Sequence, residues 1–438
     1  MATLRAAAAA ALMIGLAQPV AANPAPDLSG VWTVTAKLDE GTSAAQLSLT
    51  HEGEAWSGHS SSLDLFAPGP LDYRGSISAG RLHLEVRSGA RLVGSIDLVP
   101  KGSGLAGFGK LFGAPVTIVA SRPEVPTRPP TVLDYQPTEF HPLTSAVPAP
   151  VLRLVSGDTV RTRTVDAFGA DETGAPASIP GNPGTGPFYV VGAMPGDTVA
   201  IQIISLKPNR STARMGGGVM DYRALPSGYQ QTPGDHRDNL WKIDTARGVV
   251  SVQDPSAKLK DFTVPLRPML GVVSVAFPDG LTTPNSDLGE WGGNLDYPEV
   301  REGVTLYLPV YQVGAYIYLG DAHARQGAGE VAGGGLETSM AVEFKVTLIP
   351  GHSMPQPWAE NAEYVMVSGI GGSLDAAAQR ATAGLARWLK ATYALDDSEV
   401  AAVLGSSLEY DIAEVVDPKV HVVAKVRKDF LAQIGRGP

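Results

Sequence analysis

The chain has 438 residues, no cysteine and a formal net charge of −10. This length accommodates two or more domains, and the missing cysteines exclude disulfides, thiol nucleophiles and thiolate-ligated zinc. A negative chain without a basic cluster argues against nucleic acid or an anionic membrane surface as partner, while 50 glycines and 35 prolines point to many turns and short strands.

Arg5 is the sole charge before Asp27, and Ala6 to Leu16 is an apolar run that ends in the small-residue stretch Ala17-Gln18-Pro19-Val20-Ala21-Ala22. A positive start, a short apolar segment and an A-x-A-like end read as a cleaved secretory signal over residues 1–22. The run would cover only about half a bilayer core. The mature chain is therefore expected to begin near Asn23, to be periplasmic or secreted, and to lack a membrane span.

Residues 23–120 read as a small all-β domain. Val31 to Val34, Gln46 to Thr50, Arg81 to Val86 and Val116 to Val119 alternate or run apolar between glycine-rich turns. A β-sandwich or small barrel is the expected solution, and His51, His59 and His83 are scattered through it without a catalytic partner. The proline-dense stretch 121–135 reads as an extended linker. From residue 136 to about Pro350 the pattern is again strand-like. Leu374, Ala377, Ala378, Ala381, Leu385, Trp388 and Leu389 then recur at helical spacing behind Ser373, a good N-cap. A second helix over Ser398 to Leu404 and a last strand over Val420 to Val426 follow. The fold class is mainly β with an α+β portion, residues 136–438 forming a β-rich domain with a helical C-terminal addition.

Three segments carry candidate chemistry. Gly181-Asn182-Pro183-Gly184-Thr185-Gly186-Pro187 lines a substrate or simply turns the chain. In Glu290-Trp291-Gly292-Gly293-Asn294-Leu295-Asp296, the paired glycines permit close backbone approach to a small ligand, and Asn294 and Asp296 share a face if extended. A plain Gly-Gly turn flanked by turn formers explains the same residues. The third runs from Tyr318 to Glu330. Asp321 and His323 are two apart, so on extended backbone they project from one face, and Gly320, Gly327 and Gly329 allow a return that brings Glu330 back to them. Two carboxylates and an imidazole suit zinc or a similar divalent ion. A loop in which Asp321 caps a turn and His323 bonds to backbone is the alternative, because D-x-H alone is a weak motif.

In order and spacing these segments resemble the acetamidase/formamidase family over roughly residues 136 to 430. Gly157-Asp158-Thr159-Val160, Gly184-Thr185-Gly186-Pro187, Pro195-Gly196-Asp197, Gly292-Gly293-Asn294-Leu295-Asp296, Leu308-Pro309-Val310, Gly320-Asp321-Ala322-His323-Ala324-Arg325-Gln326-Gly327 and Ala341-Val342-Glu343 carry the likeness. The resemblance implies a β-sandwich plus α/β architecture, hydrolysis of short-chain amides to carboxylate and ammonia, bound divalent metal and a homo-oligomer. Two departures stand out: Trp291 where the family has histidine, and Ala328 where it has aspartate. Each is expected to remove a polar group from the site. The leader and the N-terminal β domain lie outside the family's usual pattern.

Amide cleavage needs an activated water, stabilisation of the oxyanion and a proton for the departing amine. With no thiol, no Gly-x-Ser-x-Gly elbow and no Ser-Ser-Gly-rich signature around a lysine, metal-activated water is the expected route. Asp321 and His323 are expected as ligands, with Asp296 as a third. Glu330 is expected as ligand or general base, Glu343 as a further base, and Asn294 as a contact to the carbonyl oxygen. Thr185, Gly186, Trp291, Gly292 and Gly293 are expected to line the substrate. Zinc is the first expectation for the metal, with calcium or manganese as alternatives; His141, His236, His352 and His421 are further histidines that could complete the site. Two other readings remain open: a diverged family member that binds a small amide or metal without turnover, and an N-terminal domain that docks an envelope partner.

Overall fold

The computed structural model describes residues 27–38, 41–60, 70–234, 239–277, 281–351 and 353–435. The expected leader, its cleavage point at Asn23, His236 and His352 lie outside the described residues.

The N-terminal β domain is a closed barrel. Its strands are β1 (Gly30–Leu38), β2 (Gly41–Glu52), β3 (Ala55–Ser60), β4 (Leu71–Ser78), β5 (Arg81–Ser88), β6 (Arg91–Lys101), β7 (Gly104–Leu111) and β8 (Ala114–Ser121). Each pairs antiparallel with the next, and β1 returns to β8, so no edge is left open. Alternate residues of β5 and β8 point inward, where Leu82, Leu84, Leu98 and Leu105 are fully buried. Aliphatic side chains fill the interior, leaving a void of only about 10 Å³. It is a packed core and not a ligand cavity. The Trp32 indole donates to the Leu28 carbonyl at 2.8 Å and lies under the Arg122 guanidinium, 3.8 Å from its centre. This fastens the chain leaving the barrel to the strand that opens it.

The proline-dense stretch is pinned. Arg128 donates to both carboxylate oxygens of Asp158, which also accepts the backbone N–H groups of Thr131 and Val155 at 2.8 Å each. Such a charge-assisted fork fixes direction as well as distance. Val132–Asp134, inside the expected linker, is already a strand, paired parallel with Thr159–Arg163. The body's sheet therefore starts a few residues before 136.

The body is built on two sheets around one core. The nine-stranded sheet runs in the order Glu409–Glu414, Val420–Arg427, Tyr364–Gly371, Trp358–Glu360, Thr305–Pro309, Thr198–Pro208, Met340–Ile349, Thr159–Arg163 and Val132–Asp134. The second is centred on Ile317–His323, flanked by Met269–Val275 and Leu336–Glu337. Ile201, Leu206, Phe344 and Val346 of the first pack with Leu270, Val273, Ile317 and Leu319 of the second. The helices α1 (Leu374–Tyr393) and α2 (Asp397–Ser407) cover the nine-stranded sheet. Leu385 and Leu389 of α1 meet Val367 and Val426 of the strands. Ser373 caps α1 through the Ala376 N–H, as expected from its place before the helical repeat. Among the described residues no helix is long and apolar enough to cross a membrane.

Candidate active site

Every strand residue from Ile317 to His323 is buried, so any charge it carries must find a partner. The strand's C-terminal end carries two, Asp321 and His323. The His323 Nε2 lies 3.4 Å from Asp321 Oδ1 and 3.0 Å from Glu337 Oε2, and its Nδ1 lies 3.9 Å from Asp296 Oδ1. Glu337 arrives by strand pairing, directly opposite His323 in the register. Asp296 arrives from the segment after Gly292–Asn294, a strand two places away in the same sheet. Asp296, Asp321 and His323 form one group whose ligand atoms lie within 4.8 Å of each other, and His323, Glu330 and Glu337 form another. The expected return of Glu330 takes place: Gly329 donates to the carbonyls of Ile412 and Ala413, both at 3.0 Å, which ties the 327–330 loop to the turn carrying Glu414 and Asp417.

The backbone at three of these residues adopts positive φ: 41° at Asp296, 50° at Asp321 and 48° at Glu330. Non-glycine residues rarely adopt this region, and such strain gathers where surrounding structure demands one side-chain direction.

Hydrogen bonds set the donor atoms. The Gln326 amide nitrogen donates to the Asp296 carbonyl at 2.6 Å, which turns its oxygen toward His323 Nδ1 at 2.8 Å. With Nδ1–H donating there, Nε2 is the ring atom left facing Asp321 and Glu337, the one such an imidazole would offer to a metal. Asn182 donates to Asn294 Oδ1 at 2.9 Å and to Asp321 Oδ2 at 3.1 Å, while Asn294 donates to Asp417 Oδ2 at 2.8 Å.

The electrostatics are lopsided. Burial, reinforced by the neighbouring acids, pushes Asp296 and Glu330 well above the usual carboxylate range. Burial likewise raises Glu337 to about 7, Asp417 to about 7 and Glu414 to about 8. Burial alone would lower His323, but the Glu337 and Asp321 carboxylates raise it well above its ordinary value. Both oxygens of Asp296, Asp321 Oδ1, Glu337 Oε2 and His323 Nε2 are buried without a hydrogen bond. Orphaned carboxylate oxygens in two overlapping groups that share the His323 imidazole fit a divalent cation. Above them opens a cavity of about 350 Å³, lined by Asn182, Asn294, Asp321, Glu330, Glu337 and Asp417.

Other expected site residues lie elsewhere. Glu343 is outside the cluster and faces Arg161 on the neighbouring strand, 3.2 Å away: Phe344 points into the core, so the pleat turns Glu343 out. Thr185 donates to the Arg163 carbonyl at 2.7 Å, and Gly186 packs against Ile317 and Tyr318. Gly292 and Gly293 make room for the carbonyls of Val273 and Asp287, so the close approach is to backbone. None of these four, nor Trp291, lines the acidic cavity. Trp291 is packed edge-on to Phe277 in the core, and Ala328 is exposed. The two departures thus take no group from the cluster. His421 is buried on Leu295 and Ser368, and His141 packs against Tyr318. Glu337, Asp417, Asn182 and Gln326 join the site beyond the expected residues, and Glu414 braces the turn that carries Asp417 by accepting the Val416 and Asp417 N–H groups at 2.9 Å each. Asn182 and Gln326 lie within the family-like segments, and the run Gly333-Gly334-Gly335 is the sequence mark that precedes Glu337.

The sequence profile of the Acetamidase/Formamidase family matches residues 275–423. A crystal structure of an acetamidase from Yersinia enterocolitica is 28% identical, with a TM-score of 0.60, covering 70% of this chain and 95% of that one. An acetamidase from Bacillus halodurans is also 28% identical, with a TM-score of 0.59 over 69% of this chain and 99% of its own. A predicted acetamidase/formamidase from Thermoanaerobacter tengcongensis is 25% identical, with a TM-score of 0.59 over 70% and 99% respectively. No curated protein matches the chain by sequence.

Proposed function

We propose, from the premise that the chain belongs to the acetamidase/formamidase family, that this amidase-type hydrolase cleaves small linear amides to carboxylate and ammonia at the acidic cavity. Asp296, Asp321, His323 and Glu337 are the residues that would hold a divalent ion, with Glu330 at the rim of the set. Zinc is the ion we expect; the oxygen-rich donors also accommodate manganese or calcium. When bound, such an ion supplies Lewis acidity and a water that ionises near neutral pH.

The chain's own residues do the rest. Glu330 lines the cavity and accepts the proton of the attacking water, then returns it to the departing amine nitrogen. Asn294 gives one N–H to Asp417, which leaves the other for the amide carbonyl oxygen. Asn182 donates to Asn294 Oδ1 and holds the Asn294 side chain in place. The acidic lining favours neutral substrates and repels the carboxylate product. Export is part of this reading and rests on the apolar leader; assembly into a homo-oligomer rests on the family resemblance.

The observation that carries the proposal is the gathering of unpartnered buried carboxylate oxygens around the His323 imidazole beneath a small polar cavity. Ammonia release from formamide and acetamide should require metal, stop with chelator and return on metal addition. Glu330→Gln should abolish turnover and keep the metal. Folded protein with stoichiometric metal and no turnover of any small amide would overturn the amidase assignment at this site.

A further inference from the structure

A second cavity, of about 550 Å³, opens between α1 and the corner at Gly289 to Trp291, and it shares no lining residue with the acidic one. Its size is that of a small-molecule site. One wall is a single face of α1: Ala376, Arg380, Ala383 and Arg387 follow at helical spacing. The two alanines leave the space, and the two arginines border it. Trp291 and Ile370 contribute apolar surface. Lys419, on the opposite side, holds its ammonium 4.9 Å from the centre of the Trp291 ring.

The charge here runs against the sign of the chain's net charge. In a chain of net charge −10, three cations line the cavity against one carboxylate, Glu290. Glu290 stands 3.8 Å from Arg380, and Lys419 is held by Asp287 at 2.7 Å. Arg387 donates to Gln356 Oε1 at 2.6 Å and forms no ion pair among the described residues. Its remaining N–H groups can donate to an anion, and a guanidinium matches a carboxylate through two parallel bonds.

We propose that this cavity binds an organic carboxylate with a planar apolar body, its carboxylate on Arg387 and Arg380 and its body against Trp291. The assignment stands apart from the amidase reading, since no residue of the acidic cluster takes part.

Calorimetric titration of the full chain with 4-phenylbutyrate, and with 4-phenylbutan-1-ol as its neutral counterpart, tests it. The carboxylate should bind at least about tenfold tighter than the alcohol, as expected for a hydrogen bond to a charged group. Added salt should weaken it. Arg380→Gln combined with Arg387→Gln should remove the preference for the acid, and Ala383→Trp should fill the cavity and abolish binding of both probes. All three positions are exposed on α1, and thermal melts will confirm that the variants fold. Equal binding of acid and alcohol, no binding at probe concentrations up to about 10 mM, or binding that survives these variants but is lost in Asp321→Asn would overturn the proposal.

Discussion

Gly271 decides whether the acidic cluster can form. A methyl group there would stand 2.4 Å from Asp321 Oδ2 and 2.5 Å from Asp296 Oδ1, closer than any unstrained contact. The two carboxylates therefore occupy the space that a side chain would fill, and Gly335 plays the same part at 2.4 Å from His323 Nδ1. Gly271 has no polar group to lose, so Gly271→Ala isolates geometry from chemistry. Its expected effect is a fall in metal affinity of about 10–100-fold, the range for residues that orient ligands, measured by competition with a chromophoric chelator. Unchanged affinity would mean that the ion is held away from Asp296 and Asp321. Glu343 teaches the converse. Its place after Ala341-Val342 resembles the family's, but with Phe344 facing the core its carboxylate turns outward to Arg161.

At the scale of elements, what was legible was local. The 3–4 spacing of α1 and its Ser373 cap are written in one consecutive stretch, and the helix is there from Leu374 to Tyr393. Asp321 and His323 could be joined because both lie on one strand. Glu337, Glu414 and Asp417 could not, because strand pairing and a distant turn bring them in, and pairing of remote segments leaves no mark in local periodicity. Barrel closure was hidden for the same reason: β1 meets β8 only through long-range register. The strand Val420–Arg427 holds a second lesson in His421. Its Nδ1–H donates to the Leu295 carbonyl at 2.7 Å and its Nε2 accepts from the Ser368 hydroxyl at 2.9 Å, so the neutral ring is satisfied. Burial lowers its pKa to about 4. Between its unfolded value of about 6.5 and about 4, the unfolded chain binds a proton that the folded one refuses. Stability is thus fully present above about pH 6.5 and is lost as pH falls, by about 3 kcal/mol in all from this group. His421→Asn should lower the slope of unfolding free energy against pH by close to one proton in that window, as read from urea melts. Parallel slopes for the two proteins would show that His421 protonates in the folded state.

At the scale of the whole molecule, the barrel and the body have separate cores and are joined by a short span with an unusual distribution of anchors. Arg122 is fastened to the barrel through Trp32 and Val31. Arg128 is fastened to the body through Asp158, and Glu124 meets Arg153 and Tyr189 of the body. Between the anchors, Val125 is 74% exposed and residues 122–127 have no regular structure. Cleavage requires a stretch that can leave the surface and enter a protease cleft, and this interval can do so at the lowest cost in buried contacts. A non-specific protease such as proteinase K should therefore make its first cut between Glu124 and Arg128, not throughout the proline-rich stretch, because Val132–Asp134 is held in a sheet. Arg128→Ala releases the C-terminal anchor and should speed that cut several-fold at unchanged cleavage of the barrel and body. If the proposed site holds a divalent ion, that ion should stay with the larger fragment, since the residues of the acidic cavity lie between Ala167 and Asp417. Mass spectrometry of the fragments decides this: a first cut within β1–β8 or within the body's strands, or metal lost on cleavage, would refute this division into two separately folded parts.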